Sequence, residues 1–178
     1  MTHVKLPSFL SFAALAALLA SSAWAGWTRQ GDAVASFKAT GPAGLKIVGS
    51  APAVDVKDDG KDLTVVVKLA DIDTDNSLRN RHMLEDLEAE KFPLATLTVP
   101  VGSVKEGAAD VEARGTFTMH GKSREVPFHY TSKCNAGTCE VEGSAELNLK
   151  DFDIKIRSYL GITVKPEVSV TTHFQMKK

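Results

Sequence analysis

The sequence predicts an all-β protein, with about eight antiparallel strands and one short helix in a closed barrel or a sandwich. Apolar and polar residues alternate over several segments, as a strand with one buried face requires. Turns that contain glycine separate these segments. A single stretch has helical spacing instead. The pattern of strands does not by itself choose between a barrel and a sandwich.

The first 25 residues are predicted to be a secretory signal peptide, and they are excluded from the fold. Lys5 supplies a positive charge, Phe9–Ala20 is apolar, and Ala23-Trp24-Ala25 has the small-x-small pattern of a cleavage site. The apolar run of about 12 residues is shorter than the roughly 20 residues that span a bilayer. We therefore expect residues 26–178 to form one domain that is exported to the periplasm.

The charge and hydropathy of the chain exclude some classes of function. The formal net charge is −1, and no basic stretch stands out. This balance argues against nucleic acid as the main partner. After residue 25 no apolar segment approaches membrane length, so we expect a soluble domain that does not span a membrane.

Five segments carry the alternating pattern of a strand. Apolar residues occupy every second position along most of each segment, and the residues between them are mainly polar. The segments are Leu63–Leu69, Val111–Met119, Val126–Tyr130, Val141–Leu149 and Val168–Met176. Turn residues follow or separate them, which predicts an antiparallel meander. The turns are Asp58-Asp59-Gly60-Lys61, Lys105-Glu106-Gly107, His120-Gly121-Lys122 and Asn135-Ala136-Gly137.

One segment, Asp75–Leu87, has the spacing of a helix. Thr74 or Asp75 is predicted to cap its start, and Arg81 and Glu85 form an i,i+4 pair. Its apolar positions follow a roughly helical stripe. They are Leu78, Met83, Leu84 and Leu87.

The two cysteines, Cys134 and Cys139, flank the turn-rich sequence Asn135–Thr138. In an exported chain this spacing predicts a local disulfide at the end of a hairpin. Closing so short a loop stabilises the fold by about 2 kcal/mol in the chain-entropy model. A redox-active pair is the alternative, but the spacing is not Cys-x-x-Cys. Two cysteines are also too few for a zinc site.

Asp73, Arg79 and His82 lie close together in the sequence and allow two interpretations. A histidine with a carboxylate partner can act in acid–base catalysis. Alternatively, Asp73 and Thr74 cap the helix, while Arg79 and His82 anchor it to the sheet. No serine or cysteine lies in a recognisable nucleophile motif, so we predict the structural role and no catalytic residue.

Four histidines could also be considered as metal or haem ligands. No two of them are spaced i,i+4, and neither His-Glu-x-x-His nor Cys-x-x-Cys-His occurs. We therefore predict surface histidines and no metal site. The residues in question are His82, His120, His129 and His173.

Two motifs, about 30 residues apart, together carry a resemblance to a known family. The first comprises Asp73, Thr74, Leu78, Arg79, His82, Phe92 and Pro93, and the second runs from Gly115 through His120 and Gly121 to Arg124 and Val126. In this order they resemble the YceI-like family. The resemblance extends over Phe37–Met176. The chain departs from the family pattern at Asn80, where an aspartate is usual, and in Leu94–Val99, which lacks the usual phenylalanines. The typical N-terminal strand is also hard to recognise in Trp27–Phe37.

The resemblance implies an exported bacterial protein with a lipocalin-like barrel that binds a polyisoprenoid or similar long apolar lipid. The implied ligand is an isoprenoid quinone or a fatty-acyl lipid, with no other cofactor and no enzymatic activity. A membrane surface or a protein partner for ligand exchange is implied as a possibility, as is a dimer.

The apolar stripes either fill the barrel as an ordinary core or line a cavity, and periodicity cannot separate these alternatives. A filled barrel would favour an accessory protein of the stress response that acts by protein contact. A third alternative is a lipid or ester hydrolase that uses His82 and Asp73. The resemblance implies a cavity, and the residues predicted to line it are Leu63, Val65, Val67, Phe117, Met119, Phe128, Leu147, Leu149, Val168, Val170 and Phe174.

Overall fold

The computed structural model describes residues 26–159 and 162–178 of the chain. The predicted signal peptide lies outside these residues. Within these residues, eleven strands and one α-helix make up the regular structure, together with four short 3-10 turns. The strands are β1 (Thr28–Thr40), β2 (Lys46–Ala51), β3 (Val54–Asp58), β4 (Asp62–Lys68), β5 (Leu94–Pro100), β6 (Val111–Met119), β7 (Lys122–Asn135), β8 (Thr138–Asn148), β9 (Ser158–Tyr159), β10 (Ile162–Thr163) and β11 (Glu167–Lys177), and the helix is α1 (Ser77–Asp86).

Nine of these strands form a closed antiparallel barrel of eight strands with one additional strand, and β9 and β10 pair with each other. Consecutive strands from β3 to β8 pair in chain order, β11 follows β8, and β1 completes the order beside β3. Closure comes from β1 and β11, which pair from Thr28↔Lys177 to Ala39↔Val168 with one bulge. The additional strand β2 pairs with the second half of β1. The predicted lipocalin-like barrel is therefore confirmed, and the sandwich is excluded.

The two ends of the barrel carry different elements, and we name them after these. The helix end has α1, the turn between β6 and β7, and the 3-10 turn Leu149–Phe152. The disulfide end has the turn between β3 and β4 and the hairpin of β7 and β8, which Cys134 and Cys139 cross-link. The predicted disulfide is thus confirmed.

The helix begins later than the sequence predicts. Asn76 is the N-cap, because its extended backbone lets its side chain accept a hydrogen bond from the backbone N–H of Arg79 at 2.9 Å. Thr74 and Asp75, the predicted caps, lie before the helix, and Asp75 has a left-handed φ of 58°. The predicted pair of Arg81 and Glu85 is present at 3.9 Å. Within the described residues, no helix combines the length and the apolar character needed to cross a bilayer.

The two sequence motifs meet at the helix end. His120 and Gly121 form the tight turn of the β6–β7 hairpin, with φ values of 52° and 69°. The Phe92 ring stands edge-on to the His120 ring at 5.1 Å, and it covers Gly121 so closely that a Cβ there would clash. The second motif therefore needs glycine beside the phenylalanine of the first.

His120 is not a surface residue, so this prediction was wrong. Its side chain is 12% exposed, and Nδ1 lies 2.9 Å from the backbone carbonyl of Phe152. Nε2 is 3.5 Å from a Glu88 carboxylate oxygen. A turn position suggested exposure, but the chain returns over this turn after β8 and buries the ring. His129 is exposed as predicted, and His173 is partly exposed and pairs with Glu140.

Candidate functional site

The interior of the barrel contains a cavity of about 780 Å³. This volume falls within the range of about 300–1,000 Å³ that is usual for small-molecule sites. Most of the wall between the two ends is apolar and comes from alternate residues of the strands. The barrel is therefore not filled by its own side chains.

All eleven residues that were predicted to line a cavity do line this one. Ten of them lie on strands β4, β6, β7, β8 and β11. Leu149 was predicted to continue β8, but the strand ends at Asn148 and Leu149 begins a 3-10 turn. It nevertheless faces the cavity. That these residues contact a lipid stays a prediction.

Sequence reasoning missed the part of the wall that β1, β2 and β5 contribute. Phe37, Ile47, Leu97 and Val99 line the cavity from these strands. The alternation of Ala95, Leu97 and Val99 was available as a signal for β5. In β1 and β2 the inward residues are mostly small, which weakens the apolar stripe.

Small inward residues explain why the cavity stays open. Large side chains at these positions would interdigitate and fill the barrel, since protein interiors pack to near-crystalline density. The small residues on the wall lie on β1, β2, β5 and β8. They are Ala35, Ala39, Gly49, Ala51, Ala95, Gly143 and Ala145.

At the helix end the cavity reaches exposed residues, and we call this opening the mouth. Leu78 of α1 lines the cavity although it is 51% exposed. Backbone hydrogen bonds of 2.9 Å between Ser50 and Asp73 join β2 to the segment that leads into α1. On the opposite side, the Lys165 N–H donates to the Thr40 carbonyl at 2.9 Å, next to the end of β1. The mouth is therefore enclosed by α1, β2 and the segment between β8 and β11.

A strap, residues 153–157, crosses one side of the mouth and is held to α1 by Arg157. The Arg157 Nε donates to both carboxylate oxygens of Asp86, at 2.7 and 2.6 Å, and Nη2 donates to Glu85 at 2.8 Å. These bonds, with Asp86 the largest contributor, raise the pKa of the Arg157 guanidinium. Arg157, Asp86 and Lys155 all belong to the cavity wall. The charge of Arg157 is thus already matched by carboxylates.

The strap is also fixed where it begins. Asp153 adopts a left-handed backbone with φ of 56°, and its carboxylate accepts from Lys122 Nζ at 3.0 Å. This hydrogen bond, and then the charge of Lys122, lower the pKa of Asp153. Lys122 follows the His-Gly turn, so the second motif anchors the strap to the barrel.

Asp73 belongs to a hydrogen-bonded network that precedes α1. Its Oδ1 accepts from Asn80 Nδ2 at 2.8 Å and from the Asp75 N–H at 2.9 Å. The Asn80 bond, and then the Asp75 bond, lower the pKa of Asp73. Through Oδ1, Asn80 also accepts from the N–H and the hydroxyl of buried Thr74. Asn80 thus joins Asp73 and Thr74 to the helix.

Asp73 lies in the network before α1, whereas His82 lies on the cavity wall. In residues 26–159 and 162–178, no hydrogen bond or ion pair joins the two side chains. His82 is half-buried and lies on the cavity wall at the mouth, as does Arg79. Arg79 Nη1 donates to the Thr74 carbonyl at 3.3 Å. Arg79 thus binds the segment before α1 and His82 faces the cavity, and the anchoring of α1 to the barrel by these two residues stays a prediction.

The wall at the disulfide end carries charged side chains, of which Lys105, Glu106 and Lys178 are exposed. Lys178 Nζ lies 3.4 Å from a Glu106 carboxylate oxygen and 5.4 Å from the centre of the Trp27 ring. Within the described chain, Glu106, Cys134 and Cys139 form the only cluster of three possible metal ligands. Both sulfurs are in the disulfide, and a metal site needs thiolates. The absence of a metal site stays a prediction.

Comparison with solved structures supports the fold. BcnA of Burkholderia cenocepacia aligns with a TM-score of 0.65 and 19% identity, over 80% of this chain and 95% of its own. A polyisoprenoid binding domain from Saccharophagus degradans, implicated in plant cell wall breakdown, aligns with a TM-score of 0.66 and 14% identity, over 85% and 97%. The YCEI protein of Campylobacter jejuni gives a TM-score of 0.54 and 18% identity, over 71% and 80%.

At these identities the structural likeness concerns the fold alone. No curated protein matches the chain. The model of the YceI-like domain, by contrast, matches residues 25–176, which is nearly the whole sequence. This match agrees with the two motifs that meet at the helix end of the barrel. The chain belongs to the YceI-like domain family.

Proposed function

We propose that the protein binds one long apolar lipid inside its barrel, in the bacterial periplasm, without catalysing a reaction. The observation that carries this proposal is the apolar cavity of about 780 Å³ with a mouth beside α1. A structural neighbour from Saccharophagus degradans is named as a polyisoprenoid binding domain, which supports the same class of ligand. An isoprenoid quinone or a fatty-acyl lipid fits an apolar cavity of this kind.

Burial of hydrocarbon supplies the affinity. Each Å² of apolar surface removed from water contributes about 25 cal/mol. Along the middle of the barrel the wall offers mainly aliphatic and aromatic side chains, such as Val65, Val170 and Phe174. A chain lying there replaces contacts with water by contacts with these side chains, and polar groups are needed only at an end.

A binding role accounts for the motif residues better than catalysis does. The Asp73 carboxylate accepts hydrogen bonds from the Asn80 amide and from the Asp75 N–H, next to the start of α1. His82 has no carboxylate partner within the described ranges, so a proton has no direct path between His82 and Asp73. In the proposed function His82 contacts the ligand at the mouth and transfers no proton.

Two features support a periplasmic location. The disulfide between Cys134 and Cys139 is of the kind that persists in oxidising compartments. The N-terminal sequence has the pattern of a signal peptide that is cleaved after Ala25. Ligand exchange then takes place with a membrane surface or a protein partner, and a dimer is compatible with this role.

Native mass spectrometry tests the proposal. Protein purified from the periplasmic fraction without detergent is expected to carry one lipid, and the delipidated protein is expected to take up an added quinone or fatty acid at one equivalent. The intact mass should correspond to a chain that begins at Gly26. Repeated absence of bound lipid, with no uptake of either ligand, would refute lipid binding.

A further inference from the structure

The charged residues on the cavity wall are distributed unevenly between its two ends. At the mouth the wall includes the cations Arg79, Lys155 and Arg157 and one carboxylate, Asp86. At the disulfide end it includes two cations and two carboxylates, which are Lys105, Lys178, Asp58 and Glu106. The mouth is thus electropositive relative to the other end.

The excess positive charge at the mouth belongs to Arg79 and Lys155. The Asp86 carboxylate is engaged by Arg157, which also binds Glu85. Across residues 26–159 and 162–178, no carboxylate lies within 4.0 Å of the Arg79 guanidinium or the Lys155 ammonium. Arg79 uses Nη1 to hold the Thr74 carbonyl, and its other donors remain available.

Arg79 is also in the right place to meet the polar end of a ligand. It is half-buried, it lines the cavity, and it follows Leu78, whose exposed side chain lines the same opening. A guanidinium binds carboxylate and phosphate oxygens through paired N–H donors, and charge-assisted bonds of this kind are stronger than neutral ones. A neutral head group would leave this partly buried cation without a counter-charge.

We propose that the cavity selects a lipid with an anionic head group, a carboxylate or a phosphate, which Arg79 and Lys155 hold at the mouth while the tail extends towards the disulfide end. This inference rests on the proposed lipid-binding function. It adds the orientation of the ligand and the charge of its head group, and of the two ligand types named above it favours the fatty-acyl lipid over the neutral quinone. Arg79 is then the residue that determines head-group specificity.

Isothermal titration with three ligands of matched tail length tests the proposal: hexadecanoic acid, hexadecyl phosphate and hexadecanol. We expect the acid and the phosphate to bind about tenfold more tightly than the alcohol, as a charge-assisted pair allows. High salt should weaken the two anions and leave the alcohol unaffected. The relative affinities of acid and phosphate then identify which anionic head is preferred.

Variants locate the head group. Arg79→Gln is expected to remove most of the advantage of the anions over hexadecanol, while Arg79→Lys keeps part of it. Arg114→Gln is the matched control, because Arg114 lies on the outer face of β6, where it pairs with Glu125 at 3.0 Å. Lys155→Gln, at an exposed side chain, provides a second variant in case Arg79→Gln fails to fold.

Three results would overturn the inference. If hexadecanol binds as tightly as the anions, the head-group charge is irrelevant. If Lys105→Gln rather than Arg79→Gln removes the discrimination, the ligand lies in the opposite orientation. In both cases lipid binding itself stands. If none of the three ligands binds, the proposed function fails, and this inference fails with it.

Discussion

At the scale of single residues, Asn80 explains how the segment before α1 is held. Its carbonyl oxygen accepts from Thr74 while its amide nitrogen donates to the carboxylate of Asp73. An aspartate, the residue usual in the family pattern, could accept from Thr74 but could not donate to Asp73. Asparagine therefore matches the carboxylate that it faces in this chain.

Replacing Asn80→Asp is expected to lower the melting temperature by a few degrees at pH 7, because two carboxylates would then lie side by side. In the native protein, the lowered pKa of Asp73 means that its contribution to stability is present above the usual value of 3.8 and is lost as pH falls through the folded value. Lowering the pH towards about 4 should instead reduce the difference in melting temperature between the variant and the native protein.

Thermal unfolding followed by circular dichroism at both pH values measures this effect. Asn148→Asp is the matched control, since the Asn148 side chain only accepts, from the Lys150 N–H at 3.0 Å, and an aspartate can do the same. An equal loss of stability in the two variants would contradict the role assigned to the Asn80 amide.

Gly49, in the wall of the cavity, is another single residue whose size matters. It lies opposite Phe37 in the β1–β2 pair, and a Cβ at this position would clash with the Phe37 ring and touch the Thr74 methyl group. Gly49→Ala should cost about 1–3 kcal/mol, as overpacking does. Gly102→Ala is the control, because nothing lies within 4 Å of its Cβ position. Chemical denaturation measures the free energy of unfolding of both variants. Equal values would show that the Phe37 ring moves aside without strain.

At the scale of elements, α1 and the strap form one side of the mouth through long-range ion pairs. Arg157 is 71 residues from Asp86 in sequence, so no local pattern could predict their contact. The helix itself was predictable from its spacing. The contact of the helix with the strap was not predictable, because it depends on the path of the chain after β8.

Loosening this contact should speed the exchange of ligand. Arg157→Ala is expected to raise the release rate of a bound fatty acid by about threefold, since a partly exposed ion pair contributes modestly. Arg157→Lys, which keeps the charge and loses the two-pronged geometry, should have an intermediate effect. Stopped-flow transfer of the fatty acid to acceptor vesicles measures the rate.

Arg114→Ala serves as the control for loss of an exposed ion pair away from the mouth. If it changes the release rate as much as Arg157→Ala, the contact between the strap and α1 has no particular role in exchange. High salt should reduce the difference between Arg157→Ala and the native protein, because salt screens the pair that the native protein retains.

At the scale of the whole molecule, the open interior depends on small residues that come together from four strands. Ala145→Phe places an aromatic ring into the cavity from β8, beside the cluster that contains Val99 and Phe128. We expect lipid uptake to fall by about tenfold or more, because the ring occupies volume that the ligand needs. The fold should persist, since the ring enters empty space.

Native mass spectrometry with an added fatty acid measures the uptake, and thermal unfolding checks the fold. Thr116→Phe is the matched control, because Thr116 is exposed on β6 and is not part of the cavity wall. Undiminished uptake by Ala145→Phe would mean that the ligand binds elsewhere.

The sequence by itself determined an antiparallel all-β fold, the single helix, the disulfide and the faces of five strands that point inward. These features follow from local periods, turn residues and cysteine spacing. Only the tertiary structure decided between a filled and an open interior, because that depends on closure between β1 and β11 and on small side chains that meet across the barrel. It also decided the burial of His120, the cap at Asn76 and the cations at the mouth, since each depends on neighbours whose position the local sequence pattern does not encode.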